Sequence, residues 1–155
     1  MNLIDLFDNL TTPKGNDRTL NALPIPDYPN YRIAIDGDSN PVLLLSVTNG
    51  AKYSSLKNFK LKHLLLQQNV ECKISEDGRT RYNTFTVITF TNTDGDLQEY
   101  FLRISEILIR TLGNSPNQQQ LLDSLNKFVE VFRSLSDIPT NTVQGLWAEL
   151  FVIEN

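Results

Sequence analysis

One cysteine, Cys72, and one histidine, His63, are all that the chain offers as thiolate or imidazole metal ligands. A lone cysteine excludes an intramolecular disulfide and suits a reducing compartment. It has no CxxC partner, so a zinc knuckle and a thioredoxin-like couple are excluded as well. Cys72 therefore reads as a small core residue, and His63 as a partly exposed strand histidine. No GxxxxGK[ST], GxGxxG or GxSxG occurs. Nothing therefore spells a nucleotide cradle or a nucleophile elbow. Positive charge is also scarce, with 14 Lys and Arg against 18 Asp and Glu and a formal net charge of -4. The densest basic stretch, Lys57 to His63, alternates like the solvated face of a strand. No apolar run approaches the roughly 18 residues of a membrane span. The first residues include Asp5 and Asp8 and lack the basic start and apolar centre of a signal peptide. The expectation is a cytoplasmic protein with no membrane partner and no nucleotide.

What is present suits a globular chain. Hydrophobic residues make up 40% and charged residues 21% of 155 positions, enough to bury a core without covalent staples. Leu3, Ile4, Leu6, Phe7 and Leu10 recur at helical spacing, which predicts a short helix over residues 2–11. Residues 12–30, broken by Pro13, Gly15, Pro24, Pro26 and Pro29, read as an extended loop. A β-rich centre follows. Strands are expected at 31–35, 41–47, 59–64, 70–74 and 84–90, with turns at Asp36-Gly37-Asp38 and Glu76-Asp77-Gly78-Arg79. Beyond Asp94-Gly95-Asp96 the spacing turns helical: Leu97, Tyr100, Phe101, Ile104, Leu108 and Leu112 trace one face, closed by Gly113. A second helix is expected from Ser115-Pro116, with Leu121, Leu122, Leu125, Phe128, Val129 and Phe132 as its stripe. Asp137-Ile138-Pro139 should end it. The expected fold class is α+β: an antiparallel sheet of about five strands, an N-terminal helix and C-terminal helices.

Glu71-Cys72-Lys73 places a carboxylate and a lysine two apart on one strand face. Metal-dependent nucleases use such a pair, the acid to hold Mg²⁺ and the lysine to steer the attacking water. Pro26-Asp27 upstream could be spelled as the companion aspartate. The competing reading is an exposed ion-pair face on a half-buried strand. A helical acid preceding the pair, as a nuclease core needs, is missing from residues 12–30.

The end of the chain is more specific. Gly145 to Asn155 reads as an apolar helix capped by Thr140 or Thr142, with Leu146, Leu150 and Ile153 on one stripe and Trp147 and Phe151 beside it. Gly145 and Ala148 leave a narrow face for close packing, and Glu149 sits at the edge between faces. A carboxylate so placed is costly to bury unless paired or metal-bound. A solvated glutamate on a helix edge is the plain alternative. No Gly, Pro or basic last turn closes this helix, so it reads as the opening of a larger domain.

Gly145-Leu146-Trp147-Ala148-Glu149-Leu150 resembles the Gly-Leu-x-Gly-Glu-Leu segment of a bacterial family labelled with a PD-(D/E)XK motif, whose members are restriction-endonuclease-like. Ala148 replaces the second glycine. The preceding order is also similar: a β-rich half, a helix with an aromatic pair (Tyr100-Phe101), a second helix and a short loop. The resemblance implies that Glu149 belongs to the first core helix of a nuclease fold and helps to hold a catalytic Mg²⁺. It implies that the other catalytic residues come later in the family's order, and that DNA and protein subunits of a phage-defence system are the partners. The expected division is 1–139 as a β-rich accessory domain and 140–155 as the first helix of the nuclease-like core. The expected function is the N-terminal part of a DNA endonuclease, inactive alone. The alternative is a stand-alone interaction module that docks through its last helix, with Trp147, Phe151 and Ile153 as anchors. A third reading is a small nuclease using Asp27, Glu71 and Lys73.

Overall fold

A computed structural model describes residues 1–15, 18–46 and 58–136. The chain runs α1 (Leu3–Asp8), β1 (Leu20–Ile25), β2 (Tyr28–Ile35), β3 (Pro41–Leu45), β4 (Phe59–Lys60), β5 (Leu64–Glu76), β6 (Arg79–Phe90), α2 (Gly95–Leu112) and α3 (Gln118–Ser136). The strand order is β1-β2-β3-β6-β5-β4, and β1 also pairs with β5. That last pairing closes five strands into a barrel. Every ladder is antiparallel except the seam, where Leu20 and Asn21 of β1 lie parallel to Ile74 and Ser75 of β5. The fold is α+β, as expected, and closure removes most of the exposed edges of an open sheet.

Alternation along the strands builds two cores. Ala22, Ala34, Val42, Leu44, Cys72, Ile74, Phe85 and Val87 pack together on the inner side of the barrel. The opposite faces of the same strands, with Ile33, Leu43, Leu45, Leu64, Leu66, Ile88 and Phe90, pack against the helices. β3 is therefore buried at all five positions, which is why its sequence is a continuous apolar run. The helix side is rich in rings. Phe90 stacks on Phe101 with centroids 5.2 Å apart, and Phe132 lies 5.9 Å from Phe101 and 4.9 Å from Phe128. Such pairs add about 0.5–1.5 kcal/mol each beyond their buried area.

Caps and turns follow local chemistry. Asp94 Oδ1 accepts from the backbone N–H groups of Asp96 and Leu97 and so opens α2. Gly113, at φ 63°, closes it. Asp36 Oδ1 accepts from the N–H groups of Asp38 and Asn40 and holds the β2–β3 turn. Asp77 and Gly78 have φ of 53° and 75° between paired Glu76 and Arg79, the two-residue turn that suits a twisted hairpin.

Several expectations need correction. Residues 12–30 are not all loop, because β1 and the start of β2 lie among them. Pro24 sits beside an irregularity in the β1–β2 ladder, the kind of place where a residue without an N–H is tolerated. Residues 59–64 and 70–74 are not two alternating strands. They belong to the two-residue β4, a bend, and a 13-residue β5 that runs through a bulge between Gln67 and Val70, with Asn69 at φ 52°. His63 accordingly lies in the bend rather than in a strand. α3 starts at Gln118, not at Ser115: Asn117 Oδ1 accepts from Gln120 N–H, and Gln120 Oε1 accepts from Asn117 N–H. That reciprocal pair is a capping box, which satisfies two otherwise orphaned donors. The expected helix at 145–155, its caps and the boundary at 139 lie outside the described residues. Among those described, no helix is long and apolar enough to cross a membrane.

Candidate functional site

An open cleft of about 830 Å³ lies at the barrel wall. Its walls come from the segment before β1 (Pro13, Gly15, Arg18, Thr19), from the β2–β3 turn (Asp36, Gly37, Asp38) and from β5 and β6 (Gln67, Glu71, Lys73, Tyr82). Its floor reaches Val42, Val70, Cys72 and Val87 of the inner core. The opening has a simple cause. The free side of β5 is paired to β4 only at Leu65 and Leu66, and to β1 only at Ile74 and Ser75. The stretch between them has no strand partner on that side among the described residues.

Glu71 and Lys73 both line this cleft, so the strand does bring that pair to one surface. Asp27 does not join them. It sits at the β1–β2 turn with φ 69°, where its carbonyl accepts from Asn114 Nδ2 at 3.0 Å beyond the end of α2. From the seam, β1 runs away from Glu71 towards that turn. About ten strand positions therefore separate Asp27 from Glu71 along the barrel, on the order of 30 Å if extended. The nearer acids are Asp36 and Asp38, and both Asp36 oxygens are engaged by Asp38 and Asn40. Among the described residues no three His, Cys, Asp or Glu side chains gather as a metal site. The spelling Pro26-Asp27 with Glu71-Cys72-Lys73 is thus not assembled into a nuclease centre.

Cys72 is buried in the inner core. Desolvation pushes its thiol up to about 11, so it stays protonated and inert at neutral pH. His63 is held below its ordinary value, first by desolvation and then by the charge of Lys62. Glu149, the residue expected to hold metal, lies outside the described residues.

One pair escaped the reading of the sequence. Arg32 Nε donates to Glu76 Oε2 at 2.6 Å, with the two side chains 14% and 9% exposed. The guanidinium also lies 5.7 Å from the centre of the Phe85 ring. The only advance signal was polar residues at positions that strand alternation assigns to the interior, and 44 residues separate the two.

Comparison with known proteins adds one finding. The model of a family described as "Putative PD-(D/E)XK family member, (DUF4420)" matches residues 3–155, and the chain belongs to that family. No curated protein and no solved structure matches it.

Proposed function

We propose that this chain serves a Mg²⁺-dependent DNA endonuclease of the PD-(D/E)XK type as its accessory β-barrel part. The match over residues 3–155 carries this reading. The segment Gly145 to Leu150 adds to it, because it resembles the family's Gly-Leu-x-Gly-Glu-Leu segment and carries that segment's carboxylate, Glu149. Glu149 is the residue assigned to catalysis and to the metal. Its carboxylate is a hard oxygen donor of the kind Mg²⁺ takes, and the metal's contribution would be to neutralise charge on the phosphodiester. One carboxylate is not a complete site, and Asp27 lies far from Glu71 and Lys73. The 155 residues are therefore assigned no cleavage of their own. Protein subunits of a bacterial defence system, in the cytoplasm, are the partners that fit the acidic net charge of -4.

A nicking assay tests this. Supercoiled plasmid with Mg²⁺ should survive incubation with the 155-residue chain. A polypeptide that joins this sequence to a complete PD-(D/E)XK catalytic core should nick it, and Glu149→Ala should abolish the nicking. Cleavage by the 155 residues alone, abolished by Lys73→Ala, would overturn the reading in favour of a small complete nuclease.

A further inference from the structure

The β5–β6 hairpin carries an exposed basic edge that touches the cleft only at Tyr82. Among the described residues β6 pairs with β3 only from Thr86 to Thr89, and its first half has a strand partner only in β5. Six consecutive residues there, Arg79 to Thr84, are exposed. They include Tyr82, which at 63% is the most exposed large hydrophobic residue described. Strand alternation puts Arg79 and Arg81 on the face that bears Glu76 and Phe85. Glu76 is directly opposite Arg79 in the ladder and is already bound by Arg32. Three arginines against one buried glutamate leave that face positive on a chain whose total is negative. The three remaining charged residues of the hairpin's outer half are Asp77 at the tip and Glu71 and Lys73, of opposite sign, on the other face. Thr80, Asn83 and Thr84 supply uncharged donors and acceptors.

We infer that the edge of β6 from Arg79 to Thr84 is a docking surface for duplex DNA, with Arg79 and Arg81 on phosphates and Tyr82 against the sugar-phosphate wall. The choice of DNA as ligand rests on the proposed endonuclease reading; the surface itself rests on charge and exposure. Phosphate contacts of this kind come from arginine, tyrosine, threonine, asparagine and backbone N–H groups. A two-stranded ribbon also fits the major groove, which is about 12 Å wide. Arginine on an exposed edge additionally keeps other strands away, and that role needs no ligand, so the test must separate the two.

Fluorescence anisotropy of a labelled 20-base-pair duplex does so. The full chain carries Glu149→Ala and the buffer contains EDTA, so binding is read without any cleavage and can fail independently of the endonuclease reading. The expected result is salt-dependent binding, weakened on the order of tenfold by Arg79→Gln with Arg81→Gln, with the slope of log affinity against log salt reduced by about 2. Tyr82→Ala should weaken binding and leave that slope unchanged, because it removes no charge. Arg110→Ala with Arg133→Ala, on exposed helix positions, should change neither. The double glutamine variant should melt with the parent, since both side chains are solvent-exposed. The inference is overturned if the parent does not bind, if the Arg79 and Arg81 variant binds like the parent, or if the helix variant loses as much. Displacement of the duplex by a tenfold lower concentration of single-stranded RNA would overturn it in favour of an RNA ligand.

Discussion

Arg32 on β2 and Glu76 at the end of β5 meet at 2.6 Å inside a barrel whose seam is only two residues long. The bond ties β2 to β5, beside the strand that the seam must hold. Removing one partner leaves the other charge buried and alone, which costs about 3–5 kcal/mol. Glu76→Ala should therefore lower the free energy of urea unfolding by that amount. Replacing both, as Arg32→Met with Glu76→Leu, should restore most of it. A double variant as weak as Glu76→Ala would show that the pair contributes more than mutual neutralisation.

The aromatic layer under the helices should be the most sensitive region to truncation. Phe101 is fully buried, and its ring lies against Phe90, Phe128 and Phe132. Phe101→Ala should cost about 3–5 kcal/mol, from lost transfer energy and the cavity left behind. Denaturant titration followed by far-ultraviolet circular dichroism would measure it. A loss below about 1 kcal/mol would mean that α2 does not pack on the sheet.

The thiol of Cys72 provides a pH-dependent test. Its folded value is raised to about 11, above the ordinary 9.0. In that window the folded state holds a proton that the unfolded chain releases, so stability is complete below about pH 9 and falls as pH rises towards 11. Cys72→Ala should remove this contribution to the slope, whatever it costs in packing. The native thiol should also resist an aromatic disulfide reagent at pH 8 and react fully in 6 M guanidinium, an ordinary fully denaturing concentration. Rapid reaction in the native state would place Cys72 outside the core.

Gly78 holds φ 75° in the hairpin turn, and a Cβ there would meet nothing within 4 Å. The penalty for a substitution is thus backbone strain alone. Gly78→Val should cost about 1–2 kcal/mol, seen as a lower Tm. Gly78→Asn should cost less, because asparagine tolerates the left-handed region.

Much of the α+β architecture was legible. α2 was readable because Asp94 and Gly113 bracket an apolar stripe, and β3 because five adjacent apolar residues are too few for a helix and need cover on both faces. The turns at Asp36 and Asp77 were legible because their chemistry is local. β1 was missed because Pro24 and Pro26 carry the signature of a loop, and only pairing with β2 makes a strand of that segment. β5 was split because its bulge at Gln67 to Val70 breaks the alternation that a strand otherwise shows. Part of the candidate site was legible as well: Glu71 and Lys73 do share a surface, while Asp27 proved distant because the direction of β1 is set by its neighbours.

Periodicity, capping residues and turn dipeptides act over a few positions, so the order of residues by itself determined α1, α2 and the body of α3, the hairpin turn and the buried character of Cys72. Closure of the sheet, the meeting of Arg32 with Glu76 across 44 residues and the exposed basic edge of β6 were decided only by the tertiary structure. Each depends on which strands become neighbours, and that choice minimises the exposed apolar area of the whole chain rather than of any one segment.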